Sequence, residues 1–404
     1  MQSDNLHRTK DLEASLFAPL ELGKCVLRNR LVVAPMTRVS ATADGLATSR
    51  MASYYADFAA GGFALVVTEG VYTDTAYSQG YLFQPGLTNS LQREAWRFVV
   101  DGVHSHGACI VAQLMHAGAL SQGNPFRPRT KGPSAVPPRG QQMSFYRGDG
   151  PYRLPEPMSL VDIREVVSGF AEAAVLAKEA GFDGVEIHGA NGYLLDQFLT
   201  DYSNVRNDQY GGGLEGRLRL IIEVIDATRR AVGVDFLVGL RISQGKVNDF
   251  ENRWAGGEAD AALIFRTLGQ QPIDYLHTTE FEAWQPAFGA PGHSLAALAR
   301  RYVPVPVLAN GSLHDPVRAA ALLRENQADM VSLGRGALTH PDWPNRVRTS
   351  MPIGTFDGRI LAPIADLANA DRQTTLPHGT PQTKGQLDSA VGCREEGAPF
   401  ESVP

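Results

Sequence analysis

The sequence predicts an α/β fold, a (β/α)8 or TIM barrel with an N-terminal hairpin and an elaborated loop after its third strand. The first observation is a series of eight apolar runs of strand length, which begin at residues 31, 64, 109, 184, 236, 274, 305 and 330. These runs are continuous rather than alternating, as expected of parallel strands that are covered on both faces. The second observation is that helical patterns lie between the runs, and this alternation is typical of the barrel.

The chain divides into three predicted segments, and the middle one contains a hairpin and a loop insertion. Residues 1–15 are polar and are predicted to be a flexible N-terminus. Residues 16–30 predict a short hairpin, because proline and glycine separate their apolar pairs. The barrel domain is predicted to occupy residues 16–365, with residues 117–158 as a Pro-, Gly- and Arg-rich loop insertion over the active-site face. Residues 366–404 turn polar, which predicts a flexible C-terminal tail.

Two predicted helices carry clear boundary signals. Ser159 and Asp162 have the spacing of a capping box, and Gly181 marks the end of the same helix. Asp315 and Pro316 predict an N-cap followed by a first-turn proline for a later helix. These start and end signals support the prediction of helices between the strand-like runs.

One glycine motif gives a misleading signal. Residues 211–216, GGGLEG, match the Gly-x-Gly-x-x-Gly pattern of dinucleotide-binding proteins. The segment that precedes them, TDYSNVRNDQY, is polar and resembles a turn rather than the strand that this pattern requires. We therefore predict that these glycines form a loop that leads into the next helix.

Charge and cysteine content limit the possible partners and cofactors. The net charge of −6, without a long basic run, argues against nucleic acid or an anionic membrane as a partner. No apolar run approaches 18 residues and the N-terminus has no signal core, so we expect a cytoplasmic protein. Cys25, Cys109 and Cys393 form no Cys-x-x-Cys pair, which excludes a cysteine-ligated iron–sulfur cluster and gives no disulfide framework. We expect no metal at the active site.

The last two predicted strands end in phosphate-binding signals. Strand seven ends at Asn310, Gly311 and Ser312, and strand eight ends at Gly334 and Arg335. In a (β/α)8 barrel, the loops after these two strands commonly bind phosphate through backbone N–H groups. Glycine allows a close approach, and arginine offers a bidentate clamp. Two such ends on adjacent strands favour an anion site over simple turns.

Other strand ends carry polar residues that suit a heterocycle. Thr37 and Arg38 follow the first strand, Gln113 lies near the end of the third, and Arg241 lies near the end of the fifth. Gln113 could pair with a ring edge that has both a donor and an acceptor, and Arg241 could stabilise an anionic ring. Together with the phosphate signals, these residues suggest flavin mononucleotide (FMN) across the barrel mouth.

The fourth strand ends in a cluster with a different chemistry. His188, Asn191 and Tyr193 are separated by small residues that would not block a ligand. Histidine and asparagine can hold a polar substrate atom, and a nearby phenol can deliver a proton. An isolated His-x-x-Asn is more often a capped strand end, but here the other strand ends supply the partners of an active site.

The chain resembles the Old Yellow Enzyme family of FMN-dependent ene-reductases over residues 16 to 365. The matching motifs are LFAPLELGKCVLRNRLVVAPMTR, VAQLMHAG, HGANGYLLDQFLTDYSNVRNDQYGG, VGLRIS, LANG and LGRG. The resemblance implies that His188 and Asn191 bind the activating oxygen of the substrate and that Tyr193 donates the proton. It also implies FMN contacts from Pro35, Met36, Thr37, Gly70, Gln113, Arg241, Gly311, Gly334 and Arg335.

The resemblance further implies an enzyme that reduces activated C=C bonds by a ping-pong mechanism, with NADPH or NADH as hydride donor and a small-molecule substrate. Met115 stands where many relatives have tryptophan, which would alter the wall of the pocket. The alternatives are a dienoyl-CoA-reductase-like flavin enzyme, an FMN-binding barrel without this turnover, and a metal-dependent hydrolase that uses His116, His188 and a carboxylate. Both a monomer and a homodimer remain open.

Overall fold

The computed structural model describes residues 14–375, and eight parallel strands form a closed barrel at its centre. Neighbouring barrel strands follow the order β4-β3-β13-β12-β11-β10-β9-β6, and a pairing between β4 and β6 closes the ring. The strands are β1 Leu20–Leu22, β2 Cys25–Leu27, β3 Leu31–Val33, β4 Leu65–Val67, β5 Val71–Tyr72, β6 Cys109–Met115, β7 Lys131–Gly132, β8 Glu156–Pro157, β9 Gly184–Asn191, β10 Leu237–Lys246, β11 Tyr275–Thr279, β12 Val307–Asn310 and β13 Met330–Leu333. All eight predicted strands are confirmed.

Helices connect the strands and cover the outside of the barrel. They are α1 Ser49–Ala60, α2 Ser90–His104, α3 Leu160–Ala180, α4 Leu194–Leu199, α5 Leu214–Val232, α6 Glu258–Leu268, α7 Leu295–Tyr302, α8 Pro316–Arg324, α9 Arg335–Thr339, α10 Trp343–Arg348 and α11 Leu367–Thr375. Within residues 14–375 no helix is long and apolar enough to cross a membrane.

The predicted helix boundaries are confirmed. Ser159 and Asp162 form a capping box at the start of α3, and Gly181 ends this helix in the left-handed conformation, with φ +96°. The Asp315 side chain accepts a hydrogen bond from Val317 N at the start of α8. Residues 211–213 form a loop without a strand before it, and residues 214–216 begin α5, so the GGGLEG segment leads from a loop into a helix, as predicted.

The N-terminal hairpin closes the amino-terminal end of the barrel, which we call the barrel floor. Strands β1 and β2 pair antiparallel, and Gly23 between them has φ +56°. Leu22 and Leu27 are buried against Val32 and Leu65 from the strands above them. The opposite, carboxyl-terminal end of the strands, the barrel mouth, is thus the open end.

The predicted loop insertion at residues 117–158 has little regular structure. It contains the short parallel pair β7–β8 and two single turns of 3-10 helix, Gly118–Leu120 and Ser144–Tyr146. Tyr146 is buried and donates a hydrogen bond to the Thr37 carbonyl oxygen over a distance of 3.1 Å. The insertion therefore folds back over the end of β3 at the mouth.

The predicted start of the C-terminal tail at residue 366 is wrong. Leu367–Thr375 forms helix α11, with the Leu367 and Asn369 side chains buried. Leu367 N donates to Ser40 Oγ, and Arg50 pairs with Asp371 at 2.7 Å. These contacts hold α11 against the loop after β3 and against α1. The polar composition of the segment gave no indication of this helix. The rest of the predicted tail, and most of the predicted N-terminal segment, lie outside the described residues.

Candidate active site

A sharp turn after β9 brings the predicted histidine, asparagine and tyrosine together. Asn191 and Gly192 both have positive φ, +63° and +87°, and the chain turns there between β9 and α4. Gly192 N donates to Asp196 Oδ2, and the buried Lys246 pairs with the same carboxylate at 2.9 Å. The His188 and Tyr193 rings consequently lie 5.0 Å apart, centroid to centroid.

Two polar atoms of this cluster lack partners in the described chain. His188 Nδ1 and Asn191 Oδ1 are buried and make no hydrogen bond within the described chain. Burial, together with the charge of Arg241, lowers the pKa of His188 well below its ordinary value. The ring is therefore neutral at pH 7, with one N–H group to donate and one nitrogen to accept.

The Tyr193 phenol is buried in a group of tyrosines. Its hydroxyl lies 2.5 Å from that of Tyr81, and Tyr81 in turn packs on Tyr146 with ring centroids 4.6 Å apart. Burial raises the pKa of Tyr193 to about 12, despite the opposing effects of Tyr81 and Arg241. The phenol therefore stays protonated at neutral pH. Tyr81 was not predicted, because nothing in the local sequence GYLFQPG indicates a contact with the turn after β9.

Two further predicted site residues are Arg241 on β10 and Gln113 on β6. Arg241 is 1% exposed, and its Nη2 donates to Thr279 Oγ1 and Asn310 Oδ1, whereas Nε and Nη1 have no partner in the described chain. Burial lowers the pKa of Arg241 to about 10, so its charge is retained at pH 7. Gln113 Nε2 donates to Glu186 Oε1 at 2.9 Å.

A polar network that the sequence did not reveal lies one layer deeper in the barrel. Glu186 accepts hydrogen bonds from Gln113 Nε2, from Tyr275 OH at 3.0 Å and from His277 Nδ1 at 2.9 Å. The other His277 nitrogen is 2.9 Å from Ser332 Oγ. The sequence did not indicate Glu186 as a polar centre, because it stands inside an apolar strand and its partners come from two other strands, β6 and β11.

The predicted flavin contacts after β3 and β4 lie at the mouth. Met36 and Thr37 are buried, and Pro35 immediately precedes them. A Cβ atom on Gly70 would lie 2.6 Å from Met115 Sδ, so packing against Met115 already explains this glycine. Their contacts with FMN remain predictions.

The two predicted phosphate-binding ends are adjacent in the structure. Gly311 has φ +141°, and a Cβ there would lie 2.2 Å from the Glu280 carbonyl oxygen. Arg335 Nη2 donates to Ser312 Oγ at 2.7 Å, which joins the ends of β12 and β13. Around Gly334 an added Cβ would meet no atom closer than 3.7 Å. The Arg335 guanidinium, the Ser312 hydroxyl and the unobstructed backbone at Gly334 thus lie together where a phosphate is predicted to bind.

These residues fit FMN on structural grounds. Buried polar atoms without partners are costly, at about 1–3 kcal/mol each, unless a ligand or water satisfies them. Arg241 Nε and Nη1 supply such atoms at the mouth, and Arg335 with Ser312 offers a phosphate clamp. The hydrolase alternative has no ligand set here, since within residues 14–375 the only group of three potential metal ligands includes neither His116 nor His188.

Comparison with known proteins gives a family match along most of the chain. Residues 15–353 match the model of the NADH:flavin oxidoreductase / NADH oxidase family. The chain is 31% identical over 366 residues to the NADH oxidase of Thermoanaerobacter brockii, covering 86% of this chain and 54% of that protein. It is 35% identical over 346 residues to the putative 12-oxophytodienoate reductase 3 of Oryza sativa subsp. japonica, covering 85% and 88%. The chain thus spans about half the length of the first relative and most of the second.

Solved structures show the same architecture. The old yellow enzyme homologue from Zymomonas mobilis superposes with a TM-score of 0.77 at 32% identity, over 84% of this chain and 94% of that one. Morphinone reductase in complex with tetrahydroNAD gives a TM-score of 0.74 at 31% identity, over 86% and 94%.

Proposed function

The chain belongs to the NADH:flavin oxidoreductase / NADH oxidase family as an FMN-dependent oxidoreductase of the Old Yellow Enzyme type, and on that premise we propose that it reduces activated alkenes. The proposed substrates are α,β-unsaturated carbonyl compounds, maleimides and nitroalkenes, with NADH or NADPH as the hydride donor. The observation that carries the proposal is the pair His188 and Asn191, whose Nδ1 and Oδ1 atoms are buried without partners in the described chain, beside the protonated phenol of Tyr193.

Residues on three sides of the mouth would hold the cofactor. Arg241 and Gln113 would face the polar edge of the flavin ring, and Arg335 would bind the phosphate together with the backbone at Gly311 and Gly334. Bound FMN would supply the hydride chemistry that couples oxidation of the nicotinamide to reduction of the alkene.

His188 and Asn191 would bind the oxygen that activates the alkene. As the β-carbon is reduced, negative charge develops on that oxygen, and donors aimed at it stabilise the transition state by about 3 kcal/mol each. The low pKa of His188 suits this role, because a neutral ring donates a hydrogen bond without carrying a charge that would bind anions indiscriminately.

Tyr193 would protonate the α-carbon. A phenol with a pKa of about 12 keeps its proton until the carbanion-like centre demands it. Tyr81, whose hydroxyl lies 2.5 Å away, can donate to the phenolate that is left and so stabilise it. The two hydroxyls would therefore work as an acid and its buried hydrogen-bond partner.

Donor and substrate would use one site in turn, which makes the mechanism ping-pong. The chain's single match to a dinucleotide fingerprint lies in a loop and the first turn of α5, without the preceding strand that the fingerprint requires. Morphinone reductase, a similar structure, has been solved with a nicotinamide analogue bound. These two observations support binding of the nicotinamide at the barrel mouth.

Anaerobic mixing experiments test the proposal. The purified, FMN-saturated protein is reduced with one equivalent of NADH or NADPH, and cyclohexenone, N-methylmaleimide or a nitroalkene is then added. We expect the flavin absorbance to bleach with the nicotinamide and to return fully with the alkene, with saturated product formed. A protein that FMN cannot reconstitute, or a reduced flavin that none of the three acceptors reoxidises, would contradict the proposal.

A further inference from the structure

Two cysteines and a carboxylate meet at the barrel floor, on the side away from the active site. Cys25 begins β2 of the hairpin, Cys109 begins β6, and Asp183 immediately precedes β9. The two sulfur atoms and one Asp183 oxygen all lie within 4.8 Å of one another. Across residues 14–375, this is the only group of three or more His, Cys, Asp or Glu side chains so arranged.

We propose that Cys25, Cys109 and Asp183 form a binding site for a thiophilic divalent cation such as Zn²⁺. Zinc binds thiolate sulfur at about 2.3 Å and carboxylate oxygen at about 2.0–2.2 Å in a tetrahedral arrangement. Ligand atoms around such an ion are then about 3.5–3.8 Å apart, so a triangle no wider than 4.8 Å can close on it with small side-chain movements.

Two of the three ligands are partly exposed, so the ion can reach the site from solvent. Cys25 is buried, whereas Cys109 is half-buried and the Asp183 side chain is 24% exposed. An ion held by these three residues would therefore keep its fourth position for water. The carboxylate also distinguishes this arrangement from a simple pair of thiols that could form a disulfide, since a disulfide needs no third donor.

The carboxylate is already oriented by its neighbours. Asp183 Oδ2 accepts hydrogen bonds from Ile110 N at 2.7 Å and lies 2.9 Å from His104 Nε2. Within the described residues Oδ1 accepts no hydrogen bond, which leaves it available to the ion. Partners that hold a ligand from outside in this way typically improve metal affinity 10- to 100-fold. His104 is thus a positioning residue, not a ligand.

Charge and proton balance define the conditions for binding. Zinc binds cysteine as the thiolate, so each of the two thiols gives up its proton when the ion binds. Binding of one Zn²⁺ releases two protons to solvent, one from each thiol. The site with the ion and the Asp183 carboxylate then carries one negative charge, and the nearby Arg28 offsets it. Affinity should consequently rise by about 100-fold per pH unit below the thiol pKa.

Bound zinc would fasten the hairpin to the barrel. The three ligands come from β2, β6 and the start of β9, and the far ends of β6 and β9 carry Gln113 and His188. The ion would stabilise the folded protein, because the three ligands are far apart in the unfolded chain. Its effect on catalysis would be indirect.

Zinc stoichiometry tests the proposal in the full-length, FMN-loaded protein. The reduced, metal-free protein is equilibrated with low-micromolar zinc chloride at pH 8, desalted and analysed for zinc. We expect about one zinc per chain in the parent and in Cys393→Ser, whose cysteine lies outside the described residues. We expect no bound zinc in Cys25→Ser/Cys109→Ser, whose flavin spectrum shows whether it has folded.

Two further readouts separate ligands from neighbours. Cadmium should produce an ultraviolet thiolate charge-transfer band in the parent and not in the double serine variant. His104→Ala should weaken zinc binding about 10- to 100-fold while keeping this band at saturating cadmium. Zinc bound equally by the double serine variant, or no zinc bound by the parent at pH 8, would overturn the proposal.

Discussion

Two layers of polar residues inside the barrel differ in whether the protein itself satisfies their hydrogen-bonding groups. Glu186 and His188 are two positions apart on β9, so both side chains point to the same side of the strand, and both are buried. Glu186 has three protein partners from two other strands, β6 and β11, all within 3.0 Å. In the layer above, His188 Nδ1 and two nitrogens of Arg241 have none in the described chain.

This difference separates structure from function. A buried polar group that the protein satisfies contributes to folding, whereas one that it leaves unsatisfied costs stability unless a ligand provides the missing partner. The Glu186 layer therefore specifies how the strands pack, and the His188 layer is built for FMN and substrate. Substitutions in the first should lower stability, and substitutions in the second should lower activity.

The largest effect is expected when both residues that would bind the activating oxygen atom of the substrate, His188 and Asn191, are removed. His188→Ala/Asn191→Ala should slow flavin reoxidation by cyclohexenone about 1,000-fold or more, because each such donor is commonly worth 100- to 1,000-fold. Phenol binding, followed through the flavin absorbance, should weaken in parallel, while FMN content survives.

A matched variant controls for the backbone strain that alanine would introduce at position 191. Asn191 has φ +63°, where alanine is strained but glycine is not, so His188→Ala/Asn191→Gly removes the same donors without that strain. Agreement between the two variants assigns the loss to the side chains. A double variant that bound phenol as tightly as the parent would show that the pair is structural.

Tyr193→Phe should have the next largest effect and should divide the two half-reactions. Reduction by the nicotinamide needs no proton from Tyr193 and should keep close to its parent rate. Enone reduction should slow about 100- to 10,000-fold, because a general acid is lost. Nitroalkenes should suffer less, since their nitronate is stable enough to be protonated in water.

Tyr81→Phe is the control for this prediction. It keeps the Tyr193 phenol and removes only its hydrogen-bond partner at 2.5 Å, so enone reduction should slow far less than in Tyr193→Phe. Stopped-flow traces of both half-reactions give the comparison. Equal slowing of the two half-reactions in Tyr193→Phe would mean that this residue shapes the pocket instead of donating a proton.

A smaller effect is expected at the phosphate end of the mouth. Arg335→Ala removes a charge-assisted contact, which should weaken FMN binding about 10- to 100-fold with the barrel still folded. Arg324→Ala, an exposed arginine on α8, is the control and should bind FMN like the parent. Ultrafiltration followed by flavin fluorescence measures both, and equal FMN affinity of Arg335→Ala and the parent would count against the phosphate assignment.

The smallest expected effect is a pH dependence of folding stability that arises from Glu186 in the deeper layer. Burial acts to raise the pKa of Glu186, but His277, Arg241 and Gln113 outweigh it and lower the pKa to about 2. A carboxyl whose pKa is lower when folded stabilises the fold above its ordinary pKa of about 4.3, and this stability is lost as pH falls toward 2. Denaturation midpoints of the parent should therefore fall more steeply below pH 4.5 than those of Glu186→Gln. Parallel profiles would contradict this assignment.

The parts that the sequence predicted are those whose signals are local. Eight apolar runs, the capping box at Ser159 and the compact segment from His188 to Tyr193 could each be recognised within a few residues. The parts it did not predict depend on contacts between distant segments. Tyr81 reaches Tyr193 from a loop, and Cys25 reaches Cys109 across the floor.

Two predictions also show how one signal can have several causes. Gly70 was assigned to FMN, yet the Met115 side chain already leaves no room for a Cβ there. The segment after residue 365 was assigned to the tail from its polarity, yet Asn369 is buried and donates to the Arg359 and Ala362 carbonyl oxygens. Composition cannot distinguish a solvated polar residue from one that satisfies buried backbone.

Equilibrium unfolding of one matched pair tests the central distinction most directly. Glu186→Gln and His188→Phe each keep the approximate size of the side chain, and both sites face the barrel interior on β9. We predict that Glu186→Gln lowers the free energy of unfolding by about 1–3 kcal/mol, because it disrupts a satisfied buried group. His188→Phe should leave that free energy unchanged or raise it, while abolishing most enone reduction. If His188→Phe lost as much stability as Glu186→Gln, the upper layer would be structural and the assignment of the active site would be wrong.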